Sequence, residues 1–126
     1  MPDGSVNEVK IQIADIIPFL VMKGMALWER LKEKDAYDIY FTILHYNGGI
    51  NKLVEIFKPV KSNKLIKEGL GKIKAKFDDI NAIGPAWVIK FLEIQDEEET
   101  ERIKRDAYER VNIFLEKIVI EKFQEN

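Results

Sequence analysis

Two strongly apolar, helix-forming segments of this chain each contain an isolated charge. Lys23 directly follows Met22, and Asp38 stands between Tyr37 and Ile39. A lysine ammonium group is a point charge suited to polyphosphate, and a carboxylate can orient a hydroxyl group or complete the shell of a metal ion. An unpaired buried charge costs several kcal/mol. We therefore expect these side chains to pair, to reach solvent at an edge, or to face a cleft.

Spacing alone leaves two interpretations of these charges open. In the first, they form a structural ion pair between neighbouring helices, with Arg30 also within easy reach of Asp38. Lys23 precedes Arg30 by about two helical turns, roughly 10 Å along the axis, so a Lys23–Asp38 pair requires a favourable crossing angle. In the second interpretation, the charges face a functional cleft.

The elements that position these residues are predicted to be mainly helical, with one short N-terminal strand before a bundle of five to six helices. Alternation of Val9, Ile11 and Ile13 predicts the strand over about 8–15. Pro18 suits the first turn of the first helix. The predicted helices span about 18–31, 35–46, 50–57, 62–77, 85–93 and 96–123. We assign all of residues 1–126 to one domain.

Polar residues mark several helix boundaries. Asp35 is a suitable N-cap, with Asp38 three residues later in the capping-box position. Ser62 is predicted to cap the fourth helix and Asp96 the last one. Glycines at 48 and 49 are expected to end the second helix.

The predicted strand has no partner strand within the chain. Because the backbone groups of a strand need hydrogen-bond partners, a lone strand is not stable. Either it pairs with the same strand of a second copy, giving a homodimer, or it is the end of a sheet that belongs to a missing domain.

Composition excludes several classes of site. The formal net charge of −2 gives no global attraction to nucleic acid or to a membrane. The absence of cysteine excludes disulfides and thiolate chemistry, and His45 as the single histidine excludes a histidine-rich metal site.

With no signal peptide and no membrane span in the sequence, we expect a cytoplasmic protein with no membrane partner. Sixteen lysines and eighteen isoleucines lean toward the composition of a thermophile.

A basic stretch follows the third predicted helix. We interpret it as a solvated helix face rather than an RNA contact, because few aromatic residues are interleaved for base stacking. Its lysines are Lys58, Lys61, Lys64, Lys67, Lys72, Lys74 and Lys76.

The segment 23–40 resembles the downstream motifs of the AbiEii/AbiGii toxin-like nucleotidyltransferase family. The residues that carry the resemblance are Lys23, Ala26-Leu27, Arg30 and Lys34-Asp35-Ala36-Tyr37-Asp38. In that family the segment directly follows the last strand of the nucleotidyltransferase core, as it follows the predicted strand here. The chain is thus similar to the C-terminal helical part of such an enzyme.

Members of this family resemble polymerase-β-like enzymes, which transfer a nucleotidyl group from a nucleoside triphosphate to an acceptor, and many are toxins of toxin–antitoxin systems. The resemblance implies that Lys23 meets the triphosphate and that Asp35 or Asp38 serves the active centre. It implies that Arg30 and Lys34 are secondary phosphate or scaffold contacts. Implied ligands are Mg²⁺ and a nucleoside triphosphate; implied partners are an N-terminal catalytic domain or subunit and an antitoxin.

The upstream motifs of the family are missing from this sequence. They are a Gly-Ser or Gly-Gly turn followed by a pair of acids that hold Mg²⁺. Gly4-Ser5 precedes Asp15, but Ile16 and Ile17 follow in place of a second acid, and we attribute this match to chance. We therefore predict no metal ligands in this chain and leave open whether it is an enzyme. The alternative function is a non-enzymatic helical binding module or dimerising scaffold.

Overall fold

The computed structural model describes residues 13–30 and 32–123. Within this part of the chain the structure is mainly helical, as predicted, and forms a bundle of six α-helices. They are α1 (Ile13–Arg30), α2 (Glu33–His45), α3 (Gly49–Phe57), α4 (Lys64–Lys76), α5 (Ile83–Leu92) and α6 (Glu97–Ile118), with a 3₁₀ turn at Lys58–Val60. None of these helices combines the length and the apolar character needed to cross a bilayer.

The predicted N-terminal strand does not appear in the described part of the chain. Residues 8–12 lie outside the described residues, and residues 13–15 form the first turn of α1 instead. The isoleucines and leucine at 13, 16, 17 and 20 have helical spacing, which agrees with the helix that the structure shows from residue 13 onward. Pro18 is consequently inside α1 rather than in its first turn, and it lies on the exposed side of the helix.

Two predicted N-caps are wrong. Helix α2 begins at Glu33, two residues earlier than predicted, and its N-cap is Lys32, whose side chain makes no capping hydrogen bond. Asp35 cannot serve as the cap because its carboxylate binds cations of α1. Helix α4 is capped not by Ser62 but by Asn63, which accepts hydrogen bonds from two backbone N–H groups of the first turn.

The last helix begins as predicted and ends early. Asp96 caps α6 by accepting a hydrogen bond from the Glu99 N–H at 2.9 Å. Helix α6 stops at Ile118, because Val119 adopts a left-handed conformation with φ of +69°. The chain then turns back toward α4, Ile120 is buried, and the Phe123 N–H donates to the Gly71 carbonyl at 3.0 Å. Residues 119–123 were predicted to be helical. Instead they leave the helix and connect the end of α6 to α4.

Helix α1 packs most extensively against α4, and two glycines allow the backbones to approach closely. A Cβ atom at Gly24 would overlap the carbonyl oxygen of Gly69. A Cβ atom at Gly69 would lie 2.8 Å from Cγ1 of Val21. Around this crossing Leu20, Leu27 and Ile73 are fully buried, so the contact is part of the core.

A polar contact joins α2 to α6. The hydroxyl of Tyr40, which is 4% exposed, donates to the Asp106 carboxylate, and Arg110 Nε donates to the same carboxylate at 2.9 Å. Burial and the hydrogen bond to Asp106 hold the pKa of Tyr40 well above its usual value, although the charges of Arg110 and Arg102 oppose this shift. The neutral phenol is therefore the form that the folded protein stabilises.

We expect Gly24→Ala to lower the free energy of unfolding by about 2 kcal/mol, because the added methyl group must push α1 and α4 apart. This loss outweighs the gain of roughly 1 kcal/mol in helix propensity. Denaturant unfolding followed by circular dichroism measures the change. Met22→Ala, a change at a 68% exposed position of the same helix, is the control and should stay within about 0.5 kcal/mol of the wild type. A stabilised Gly24→Ala variant would contradict the close crossing.

We expect the Tyr40 phenol to ionise at a pH well above the ordinary tyrosine value of about 10. Because its folded-state pKa is raised, its contribution to stability is complete below about pH 10 and is lost as the pH rises further. The difference between phenolate absorbance titrations of the wild type and Tyr40→Phe isolates this group, and Tyr108→Phe is the matched control. Ionisation of Tyr40 at an unshifted pH while the protein is still folded would show that the buried contact does not form.

Candidate functional site

The five residues singled out by the sequence lie together where α1 meets α2. Lys23 and Arg30 come from α1, whereas Lys34, Asp35 and Asp38 come from the first two turns of α2. Only two residues separate the helices, so α2 turns back past α1 and the charged side chains meet across the junction. We call these five residues the junction cluster.

Asp35 is the buried centre of the junction cluster. It is 1% exposed, and its two oxygens accept hydrogen bonds from Arg30 Nη2, each at 3.1 Å. Lys23 Nζ donates to Oδ1 of the same carboxylate at 3.1 Å. A buried carboxylate is tolerated only when charged donors of this kind satisfy it. Asp35 thus ties two residues of α1, two turns apart, to the first turn of α2.

Asp38 forms the outer half of the junction cluster. Its Oδ2 lies 2.8 Å from Lys23 Nζ and 2.9 Å from Lys34 Nζ. The Lys23–Asp38 ion pair, which required a favourable crossing angle, is therefore formed. Arg30 contacts Asp35 rather than Asp38, which differs from the sequence expectation. Of the two interpretations left open by the sequence, the geometry shows the ion pair.

Lys23 is the residue that both carboxylates share. Its partial burial acts to lower the pKa of its ammonium group, but the hydrogen bonds and charges of Asp38 and Asp35 outweigh that effect and raise the pKa. The ammonium group also lies 5.7 Å from the centre of the Phe19 ring. Lys23 is consequently held as a cation in a fixed position.

The cluster combines three cations with two carboxylates, which leaves one positive charge in excess. The side chains of Arg30 and Lys34 are 54% and 65% exposed, so both still have donors that face water. Asp35 has no such freedom because it is buried and its oxygens are occupied. The arrangement can therefore bind an anionic group at the exposed edge formed by Arg30 and Lys34.

The described residues contain no group of three or more histidine, cysteine or carboxylate side chains placed to hold a metal ion. The two carboxylates of the cluster are already occupied by cations of the same cluster. Such carboxylates do not fit a magnesium ion, which requires oxygen ligands at close octahedral positions.

Two contacts around the junction cluster were not predicted from the sequence. Phe19 lies beneath Lys23, and its position four residues earlier on the same helix was the available signal. Glu33 pairs with Lys90 at 3.4 Å and so connects α2 to α5, and no local spacing could have indicated that pair.

Comparison of the chain with protein-family models, with curated proteins and with solved structures gives no match. The interpretation of the junction cluster therefore rests on its residues and their geometry.

We expect Asp35→Asn to lower the free energy of unfolding by about 2 kcal/mol, because it leaves two cations of α1 without their charged acceptor. Asp38→Asn should cost less than 1 kcal/mol, because this carboxylate is more exposed and Lys23 keeps Asp35. Denaturant unfolding at neutral pH compares the two. An equal loss in both variants would contradict the assignment of Asp35 as the centre of the cluster.

Proposed function

We propose that the chain is the helical part of an AbiEii/AbiGii-type nucleotidyltransferase. In this proposal it completes an active site together with a catalytic domain that carries the metal-binding acids, on another polypeptide or elsewhere on the same one. The observation that supports the proposal best is the assembly of Lys23, Arg30, Lys34, Asp35 and Asp38 into one partly exposed cluster with excess positive charge.

The proposed roles follow from exposure and charge. Lys23 is assigned to the triphosphate by the family resemblance, although its side chain is only 20% exposed and pairs with both carboxylates. The exposed donors of Arg30 and Lys34 supply further phosphate contacts. Asp38 is the carboxylate that reaches the active centre, since it is the more exposed of the two acids. Asp35 is a positioning residue, because its carboxylate fixes Lys23 and Arg30 without access to a ligand.

Magnesium belongs to the catalytic domain in this proposal. The family resemblance implies Mg²⁺ bound by paired acids upstream, and it would stabilise the negative charge of the transferring phosphoryl group. Because the carboxylates of the junction cluster do not fit the ion, this chain contributes cationic side chains that orient the triphosphate. A toxin function and an antitoxin partner follow from the resemblance alone.

The alternative, a non-enzymatic binding module or dimerising scaffold, makes different predictions. It requires neither magnesium nor a nucleoside triphosphate, and the predicted homodimer would form without a catalytic partner. Light scattering of the isolated chain, together with a thermal-shift screen of nucleotides with and without Mg²⁺, separates it from the enzymatic proposal.

The test is to co-purify the chain with a candidate catalytic polypeptide, chosen from the neighbouring genes by its Gly-Ser turn and paired acids, and to measure transfer of a labelled nucleotide. We expect Lys23→Met to reduce the rate about a hundredfold, because a charge that binds the transferred phosphates is lost. Lys52→Met, at a 49% exposed lysine outside the junction cluster, is the matched control and should leave the rate unchanged. Circular dichroism at the assay temperature ensures that each variant is folded.

Full activity of both Lys23→Met and Asp38→Asn in the co-purified protein would contradict the proposed roles. A stable dimer of the isolated chain, with no transfer and no nucleotide-dependent thermal shift in the presence of the catalytic polypeptide, would favour the scaffold.

A further inference from the structure

Four successive lysines around the start of α4 make no ion pair with another described residue. They are Lys58, Lys61, Lys64 and Lys67, spaced three apart. Most other lysines of the described chain form an ion pair with an acidic side chain, as Lys72 does with Glu68 at 2.9 Å. That pair also removes the nearest following acid from the four lysines. Positive charge is therefore concentrated here in a protein whose net charge is −2.

Two of these lysines line one cavity. The cavity has a volume of about 210 Å³ and lies between the start of α4 and the segment that follows α6. Its lining residues are Lys61, Ser62, Lys67, Val119, Ile120 and Glu121. This volume is ample for a phosphate group with accompanying water. The segment after α6, which turns back toward α4, thus forms one wall of a concave site on this basic surface.

We propose that this cavity binds a phosphate group. Lys61 and Lys67 provide ammonium donors from two sides of the α4 start, and the Ser62 hydroxyl can donate as well. The helix end itself contributes little, because Asn63 already accepts from the Leu65 and Ile66 N–H groups. Glu121 opposes binding, but two cations outnumber one carboxylate.

The chemistry of the site selects phosphate rather than a base or a sugar. Among the residues that the structure describes, no aromatic side chain lines the cavity, so none of them offers a nucleobase a stacking partner there. Lysine is a point charge without the fixed geometry of arginine, so it accepts a phosphate that is free or carried on a chain. The same chemistry therefore serves pyrophosphate or the backbone of a single-stranded oligonucleotide. For the longer ligand, the exposed Lys58 and Lys64 each lie three residues from Lys61 in the sequence. This site is separate from the junction cluster and does not rest on nucleotidyl transfer.

Calorimetric titration with inorganic pyrophosphate at low ionic strength is the first arm of the test. We expect the double variant Lys61→Gln/Lys67→Gln to bind about tenfold more weakly than the wild type. Glu121→Gln should bind about threefold more tightly, because it removes the opposing charge. The matched control is Lys32→Gln/Lys52→Gln, which removes two exposed lysines outside the lining and should retain wild-type affinity.

The second arm uses a mixed-sequence, single-stranded DNA oligonucleotide at several salt concentrations. If the backbone phosphates occupy the cavity, Lys61→Gln/Lys67→Gln should reduce the slope of log affinity against log salt by about 1.4, which corresponds to two lost phosphate contacts. Binding of the oligonucleotide without binding of pyrophosphate identifies a polymer as the source of the phosphate. Binding of pyrophosphate without binding of the oligonucleotide identifies a free ligand, and binding of both at Lys61 and Lys67 shows that the site accepts phosphate from either source.

Two results would overturn the proposal. One is that neither ligand binds to the folded wild-type chain. The other is that the control pair and the cavity pair lose affinity equally, since that outcome would indicate general charge attraction rather than a site.

Discussion

A carboxylate that is 1% exposed needs charged donors, and Asp35 obtains them from α1. Lys23 and Arg30 are seven residues apart on that helix, so they approach the carboxylate from positions two turns apart. Their joint contact sets the position of α2 along α1 as well as its distance from it. Loss of either cation leaves the buried Asp35 carboxylate without a charged donor that it needs. The orientation of α1 and α2 therefore depends on Asp35.

The remaining helices are arranged around this pair. Helix α1 also packs against α4 at the glycine crossing, while α2 packs against α3, α5 and α6. The ring of Tyr37 stacks on Phe41 and on Phe91 of α5, and the Tyr40–Asp106 contact reaches α6. Helix α2 thus has a central place, and its polar side chains Glu33, Asp35 and Asp38 connect it to neighbouring helices.

Sequence patterns predicted the helical class. They left open whether Lys23 and Asp38 pair with each other or face a cleft, because spacing along the chain does not fix the angle at which the two helices cross. The sequence patterns did not predict the partner of each charged side chain. Asp35 has the properties of an N-cap in the local sequence, yet cations distant in the chain use its carboxylate. Likewise, the end of α6 depends on burial of Ile120 against other helices, which a helical period cannot reveal. The start of α1 was predicted too late because Ile13 fits both the alternating pattern before it and the helical spacing after it.

The glycine crossing has a mechanical consequence. Gly24 is adjacent to Lys23 in α1, and Gly69 lies two residues after Lys67 in α4. At Gly24 the α1 backbone lies directly against the Gly69 carbonyl, with no side chain between them. A change of side-chain rotamer at this point therefore cannot accommodate a sideways displacement of α4. It must move the main chain of α1 at the position next to Lys23. The two basic regions of the protein, although on different helices, are thus joined by a stiff connection of backbone against backbone.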